Sequence, residues 1–410
     1  MKLKHFQKAI AISILVTLCA CTETPLDGPY FTTGIKIGEV TQSEAIIWTR
    51  LTKDSIRVGN DAPMPDVRYR DPKTGDLVGR KGRFNRTPII KYPAGYTIDN
   101  VQGATPGIEG KVRLKYKIKD AQDWVIIDWQ PVNKEASYVH QFELSGLRAG
   151  TAYELEVEAS SLESDQVSSI LIGKFKTAPA SNMPSDVNFI VTTCTSYGDV
   201  DSDNGYKLYP SSLKLDPDFF VHTGDIVYYD GMAKTLDMAR WHWDRMYSFQ
   251  NNIDYHRQVP SYFMKDDHDT WMNDAYPGLE TKFMGEFTYE QGTQLFLDEV
   301  PMGEKTYRTV RWGKDLQVWF VEGRDYRSPN PMEDGPEKTI WGKEQMDWFK
   351  STVQASDATF KVLISPTPIV GPDRTGNKND NHANKVFSYE GDMLRKFISE
   401  QKNMVTVCGD

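Results

Sequence analysis

From Gly34 to about Thr177 apolar and polar residues alternate along the chain, and no convincing helical period intervenes. GIKIGEVTQSEAIIWTR alternates in this way, and SYVHQFELSGLRAGTAYELEVEAS gives two strands around a turn that carries a glycine. A period of two marks half-buried strands. Residues 53–110 are rich in Pro, Gly, Asp and Asn and predict loops and short strands. Residues 30–178 together predict an antiparallel β-sandwich. APASNMPSD (178–186) reads as a linker, and beyond it the pattern changes. Short apolar runs now alternate with helical stretches at 232–249, 342–356 and 389–401, which argues a layered α/β domain over 186–410. Trp241, Trp243 and Trp348 fall at helical positions and are assigned to the core.

Four of the predicted strands in the second half end on a side chain that can hold a metal. NFIVTTC delivers Cys194, DFFVHTGD delivers Asp225, SYFMKDDHD delivers Asp267 and His268, and MVTVCGD delivers Asp410. Tyr228 follows Asp225 by three residues. In open α/β sheets functional groups gather at the carboxyl ends of strands. A lone Gly-Asp or a lone DDHD would pass for a surface loop; the coincidence of four is harder to dismiss.

At 410 residues the chain exceeds one ordinary core, so two domains are expected. Its net charge is −9 and it has no long Lys/Arg run, which argues against a nucleic-acid partner. An anionic substrate would gain no long-range steering, so a phosphate site must rely on local positive charge. The first residues form a targeting segment: MKLKHFQK is basic, AIAISILVTL is apolar but too short to span a bilayer, and LCAC follows. Leu18-Cys19-Ala20-Cys21 resembles a bacterial lipoprotein cleavage box. That resemblance implies a signal peptide over 1–21, lipidation of Cys21 and an exported, membrane-anchored protein, periplasmic or at the cell surface. Two cysteines remain beyond Cys21, and in an oxidising compartment they could pair. Their places beside acidic motif residues favour a metal-ligand role for Cys194 and plain burial for Cys408.

TTCTSY, HTGDIVYYD, KDDHDTWMND and VCGD resemble the motif series of the PhoD-like alkaline phosphatases, a branch of the calcineurin-like metallophosphoesterases. The resemblance extends to the N-terminal half, where Gly146 to Tyr153 looks like the strand-turn-strand of a fibronectin type III module with Tyr153 as a packing residue. It implies a β-sandwich followed by a four-layer αββα domain, and a phosphate-ester substrate hydrolysed by metal-activated water. By position, Asp225 would bridge two ions, with Cys194 and Tyr228 completing a set that suits Fe(III). Asp267, in place of the family's Asn, would hold a second, harder ion such as Ca²⁺, with Asn273 a further ligand. His268 would protonate the leaving oxygen or contact the phosphoryl group. Arg324 and Arg327, after another strand, could grip the phosphate or form a salt-bridge cluster. His222, His242 and His382 are assigned structural roles.

Two departures from the family pattern stand out. The leader lacks a twin-arginine pair, and the last family motif, Gly-Asp-x-His, is present only to Asp410, so the reading expects a chain truncated before its final iron ligand. A cysteine-nucleophile phosphatase would need an Arg about six residues after Cys194, where Val200 stands. The alternative of a different class is a surface lipoprotein that binds a phosphorylated or glycan ligand without turning it over.

Overall fold

The structure, a computed structural model, describes residues 28–79, 86–373 and 380–410. The expected leader and Cys21 lie outside them. The N-terminal half holds two facing sheets. One contains β1 (Ile35–Gly38), β2 (Ala45–Arg50) and β8 (Val139–Leu144), paired antiparallel. The other runs β10 (Ser169–Lys176), β9 (Ala152–Ser160), β6 (Lys111–Ile118), β7 (Val125–Pro131). Their alternating apolar residues meet in one core that includes Ile35, Ile37, Ile47, Leu114, Phe142, Leu155 and Val157. Tyr153 is buried in it and its hydroxyl accepts a hydrogen bond from the Arg148 N–H at 2.8 Å, the packing role expected.

The region 53–110 contains a separate three-stranded sheet of β3 (Asp66–Arg70), β4 (Leu77–Val78) and β5 (Pro88–Lys91). Its Tyr69 stacks on Phe283 at 5.6 Å, so this sheet packs on the second half of the chain and not into the sandwich core.

The second half has four layers. β11 (Phe189–Thr192), β12 (Phe219–His222) and β13 (Ser261–Phe263) are parallel. They face a sheet of β14 (Arg308–Trp312), β15 (Leu316–Phe320), β16 (Phe360–Ser365) and β17 (Met404–Cys408). Each strand divides its residues by parity. Phe219, Val221 and Tyr262 point between the sheets to meet Trp312, Val318, Phe320 and Ile364. Phe220 and Phe263 point outward to α2 (Leu236–Tyr247), α3 (Gln250–His256) and α5 (Tyr289–Glu299). Across the molecule, Trp319 and Leu363 meet α6 (Gly342–Ala355) and α7 (Ser388–Ser399). Strands with apolar residues on both faces give this double burial. Short helices α1 (Leu208–Leu213) and α4 (Asp267–Thr270) complete the described set. Trp241 and Trp243 are buried as expected, and Trp348 is half-buried at the edge of its core.

The two halves share a sheet. β1 pairs parallel with β13 through Gly38 and Ser261, giving the strand order β11-β12-β13-β1-β2-β8. Only glycine fits at that junction, because a Cβ on Gly38 would lie 2.5 Å from Pro301 Cγ and 2.7 Å from the Ser261 carbonyl. Cys408, expected to be buried, is exposed instead. It lies on β17, the strand at the margin of its sheet, whose residues are only partly covered.

Candidate active site

The carboxyl ends of β11, β12 and β13 lie side by side, and the loops leaving them form the site. Cys194 and Asp225 both adopt positive φ, at 54° and 55°. That conformation is costly for residues with a Cβ and gathers at functional sites. Two backbone bonds hold the turns together: the Cys194 N–H donates to Gly224 O at 3.3 Å and the Thr195 N–H to Asp225 O at 2.9 Å. Gly224 (φ 115°) is required where it stands, since a Cβ there would lie 2.7 Å from the Asp266 backbone nitrogen. The bends aim three predicted groups at one point. The Cys194 thiol lies 3.6 Å from Asp225 Oδ2, and the Tyr228 hydroxyl 3.4 Å from the same oxygen.

After β13 the chain enters α4 through a capping box in which Asp266 and Asp269 bond each other's backbone N–H groups. This puts Asp267 and His268 in the first turn, facing Asp225. Asp225, Asp267 and His268 offer ligand atoms within 4.8 Å of one another. The Asp267 carboxylate accepts from the His268 N–H at 3.1 Å and the Asp274 N–H at 2.5 Å. The His268 ring lies 4.4 Å from that of Tyr228, and its Nδ1 is 3.2 Å from Asp230 Oδ1. Asp410 follows β17 toward the same place and adds its charge to the field at Asp225.

The electrostatics are those of crowded acids. Burial, and then Asp267, push Asp225 up to about 7. Burial likewise raises the Cys194 thiol and the Tyr228 hydroxyl, with Asp225 adding to each. For His268 burial works downward, but the Asp230 hydrogen bond and the charges of Asp267 and Asp225 win, giving about 10. A cation at this point would reverse the shifts of the three acids. Asp225 Oδ1 is buried without a hydrogen-bond partner, which is the state of an oxygen suited to a metal. Thiol, phenol, carboxylate and imidazole around the Asp225 carboxylate are a donor set that fits a transition metal.

Other candidates are placed differently. Arg324 lies fully buried beneath the site, its Nε 2.5 Å from Asp266 Oδ1 and its Nη2 3.3 Å from Asp380 and 3.8 Å from Asp267. Arg327 is buried too and donates to the Asp380 carbonyl at 2.6 Å and to Asn330 Oδ1 at 2.7 Å. Arg324 thus sits in a salt-bridge cluster, whereas Arg327 bonds uncharged oxygens and keeps its buried Nε without a hydrogen-bond partner. Asn273 is exposed. Its neighbour Asp274 instead forms a second acidic group with Asp267 and Asp380. Sequence reasoning missed Asp230, Asp269, Asp274 and Asp380. The first three sit inside the quoted motifs, whereas Asp380 lies in a polar loop whose only signal was its neighbour His382. The three histidines assigned structural roles all have side-chain partners: His222 is bonded to Thr195 at 2.9 Å, His242 to Arg245 at 3.0 Å and His382 to Glu390 at 2.9 Å.

Four layers with acidic and histidine side chains at the strand ends define a phosphoesterase-type hydrolase. The family model described as PhoD-like phosphatase matches residues 189–410, and the chain belongs to that family. Among solved structures it resembles "Structure of PhoD" with a TM-score of 0.69 and 17% identity, over 93% of this chain and 72% of that one. A purple acid phosphatase from yellow lupin (Lupinus luteus) seeds aligns with a TM-score of 0.46 and 15% identity, over 82% of this chain and 51% of that one. No curated protein sequence matches.

Proposed function

We propose that this protein is an exported, metal-dependent phosphoesterase anchored through a lipidated Cys21. The observation that carries the metal dependence is the convergence of Cys194, Tyr228, Asp267 and His268 on Asp225, whose buried Oδ1 has no protein partner. Cys194, Tyr228 and Asp225 would hold Fe(III), and Asp225 with Asp267 would hold a second, harder ion such as Ca²⁺. When bound, such ions neutralise phosphoryl charge and make water a nucleophile near neutral pH.

The chain's own residues divide the remaining work. His268, held by Asp230, carries a proton beside the site and can deliver it to the leaving oxygen. Asp269, accepting from the Ile226 N–H at 3.1 Å and the Asp266 N–H at 2.6 Å, fixes the Asp225 turn against α4. Arg324 neutralises Asp266 from below and so fixes the loop that presents Asp267. The export reading rests on the basic-apolar-LCAC leader alone.

The test is elemental analysis of the purified protein together with hydrolysis of a nitrophenyl phosphate monoester and the bis-nitrophenyl diester. Iron near one per chain and activity lost on chelation are expected. Full activity in protein stripped of metal would overturn the reading.

A further inference from the structure

Beside the catalytic cluster lies a cavity of about 420 Å³ that shares Tyr228, His268 and Asp230 with it. Its other walls include Tyr197, Met232 and Arg245. Arg245, in the last turn of α2, is 5% exposed. Its guanidinium lies over the rings of Tyr197 at 4.3 Å and Trp241 at 4.1 Å and donates to His242 Nδ1 at 3.0 Å. Its Nε is buried with no hydrogen-bond partner. A second guanidinium stands behind Tyr197: Arg57 Nη2 donates to the Tyr197 hydroxyl at 2.8 Å, and Arg57 Nε and Nη1 are also buried without partners.

Among the described residues neither arginine forms an ion pair with a carboxylate. Arg324 and Lys265, by contrast, do: Arg324 has Asp266 and Asp380, and Lys265 has Glu322 and Asp325. An unpaired buried charge is costly, and a helix C-terminus and two aromatic faces compensate it only in part. One such charge, with a half-buried second guanidinium against the same tyrosine and unused N–H donors on both, makes a surface prepared for an anion.

We propose that this cavity is a leaving-group subsite for a second anionic group, so that the preferred substrates are phosphate esters whose alcohol portion carries a further phosphate or carboxylate. The proposal rests on the phosphoesterase reading. In turnover the bond from phosphorus to the alcohol oxygen breaks with its electron pair going to that oxygen. A water oxygen forms the new bond to phosphorus, one water proton leaves to solvent, and His268 gives a proton to the departing oxygen. Arg245 would hold the far anion of that alcohol, and the rings of Tyr197 and Tyr228 would line the chain between.

Binding calorimetry and turnover on the full-length holoprotein test this separately. Propyl phosphate is compared with propanediol and hexanediol bisphosphates and with phosphorylated hydroxybutyrate. Wild-type protein should bind at least one doubly anionic compound tenfold or more tighter than propyl phosphate. Which compound wins tells phosphate from carboxylate. The ratio should fall toward one in Arg245→Met and, as a second variant nearer the surface, in Arg57→Met. A wild-type ratio below two for all three compounds overturns the subsite, as does an unchanged ratio in both folded variants. Absent turnover of every ester with the binding preference intact would instead count against the phosphoesterase reading and leave the anion site standing.

Discussion

Arg324 separates a structural cation from a substrate-binding one, and replacing it with Met makes the distinction measurable. In the structure the guanidinium is fully buried, with Asp266 at 2.5 Å, Asp380 at 3.3 Å and Asp267 at 3.8 Å. Met fills much of the volume but leaves these carboxylates without their shared charge. Removing one partner of a buried pair costs about 3–5 kcal/mol. The carboxylates can escape by taking up a proton, which at pH 7 costs about 4 kcal/mol from an ordinary Asp pKa of ~3.9, so the two figures agree. At about 2 °C per kcal/mol for a large domain, Tm should fall by roughly 6–10 °C. The sign of the pH dependence follows. Burial already pushes Asp266 above its usual range against the pull of Arg324, and losing Arg324 pushes it higher. The folded variant therefore binds more protons than folded wild type, and its deficit should shrink as pH falls from 8 to 5. Thermal denaturation across that range, in metal-free and metal-loaded protein, is the assay. Arg324→Met/Asp266→Asn should recover part of the loss, because one of the stranded charges is gone. A variant with Tm within 1 °C of wild type and only a raised KM would refute this reasoning and return Arg324 to the phosphate.

Further outcomes follow from the same geometry. Cys194→Ala should remove iron and turnover together while leaving Tm of the metal-free protein within a few degrees; unchanged iron content would make the thiol structural. His268→Ala should retain metal but lose about 10²–10⁴ in rate on alkyl esters and much less on nitrophenyl esters, since protonating a poor leaving group matters more; equal losses would contradict the proton-donor role. Cys21→Ser should move the protein from the membrane pellet to a soluble or uncleaved form on fractionation, and a wild type that is already soluble after export would dismiss the anchor.

The amino-acid order was enough for whatever depends on neighbours along the chain. Alternation at 34–177 gave the facing antiparallel sheets, and apolar runs ending in Cys194, Asp225 and Asp267 gave both the parallel strands and the ends where chemistry collects. Local signals could go no further, because burial and charge pairing are settled between segments far apart. In sequence Arg324 is a cation after a strand, open to a phosphate or to a salt bridge, and only packing against Asp266 and Asp380, 58 and 56 residues away, makes it a buried counterion. The opposite holds for Arg245, an unremarkable helical residue until folding sets it against Tyr197, with no ion pair to a carboxylate among the described residues. The joining of β1 to β13 is likewise invisible in sequence, since a parallel pairing across more than 200 positions has no local pattern and is marked only by a glycine where nothing larger fits. Sequence period fixes which face of a strand is apolar; which strand lies beside it, and which charge meets which, is decided by the closing of the tertiary fold.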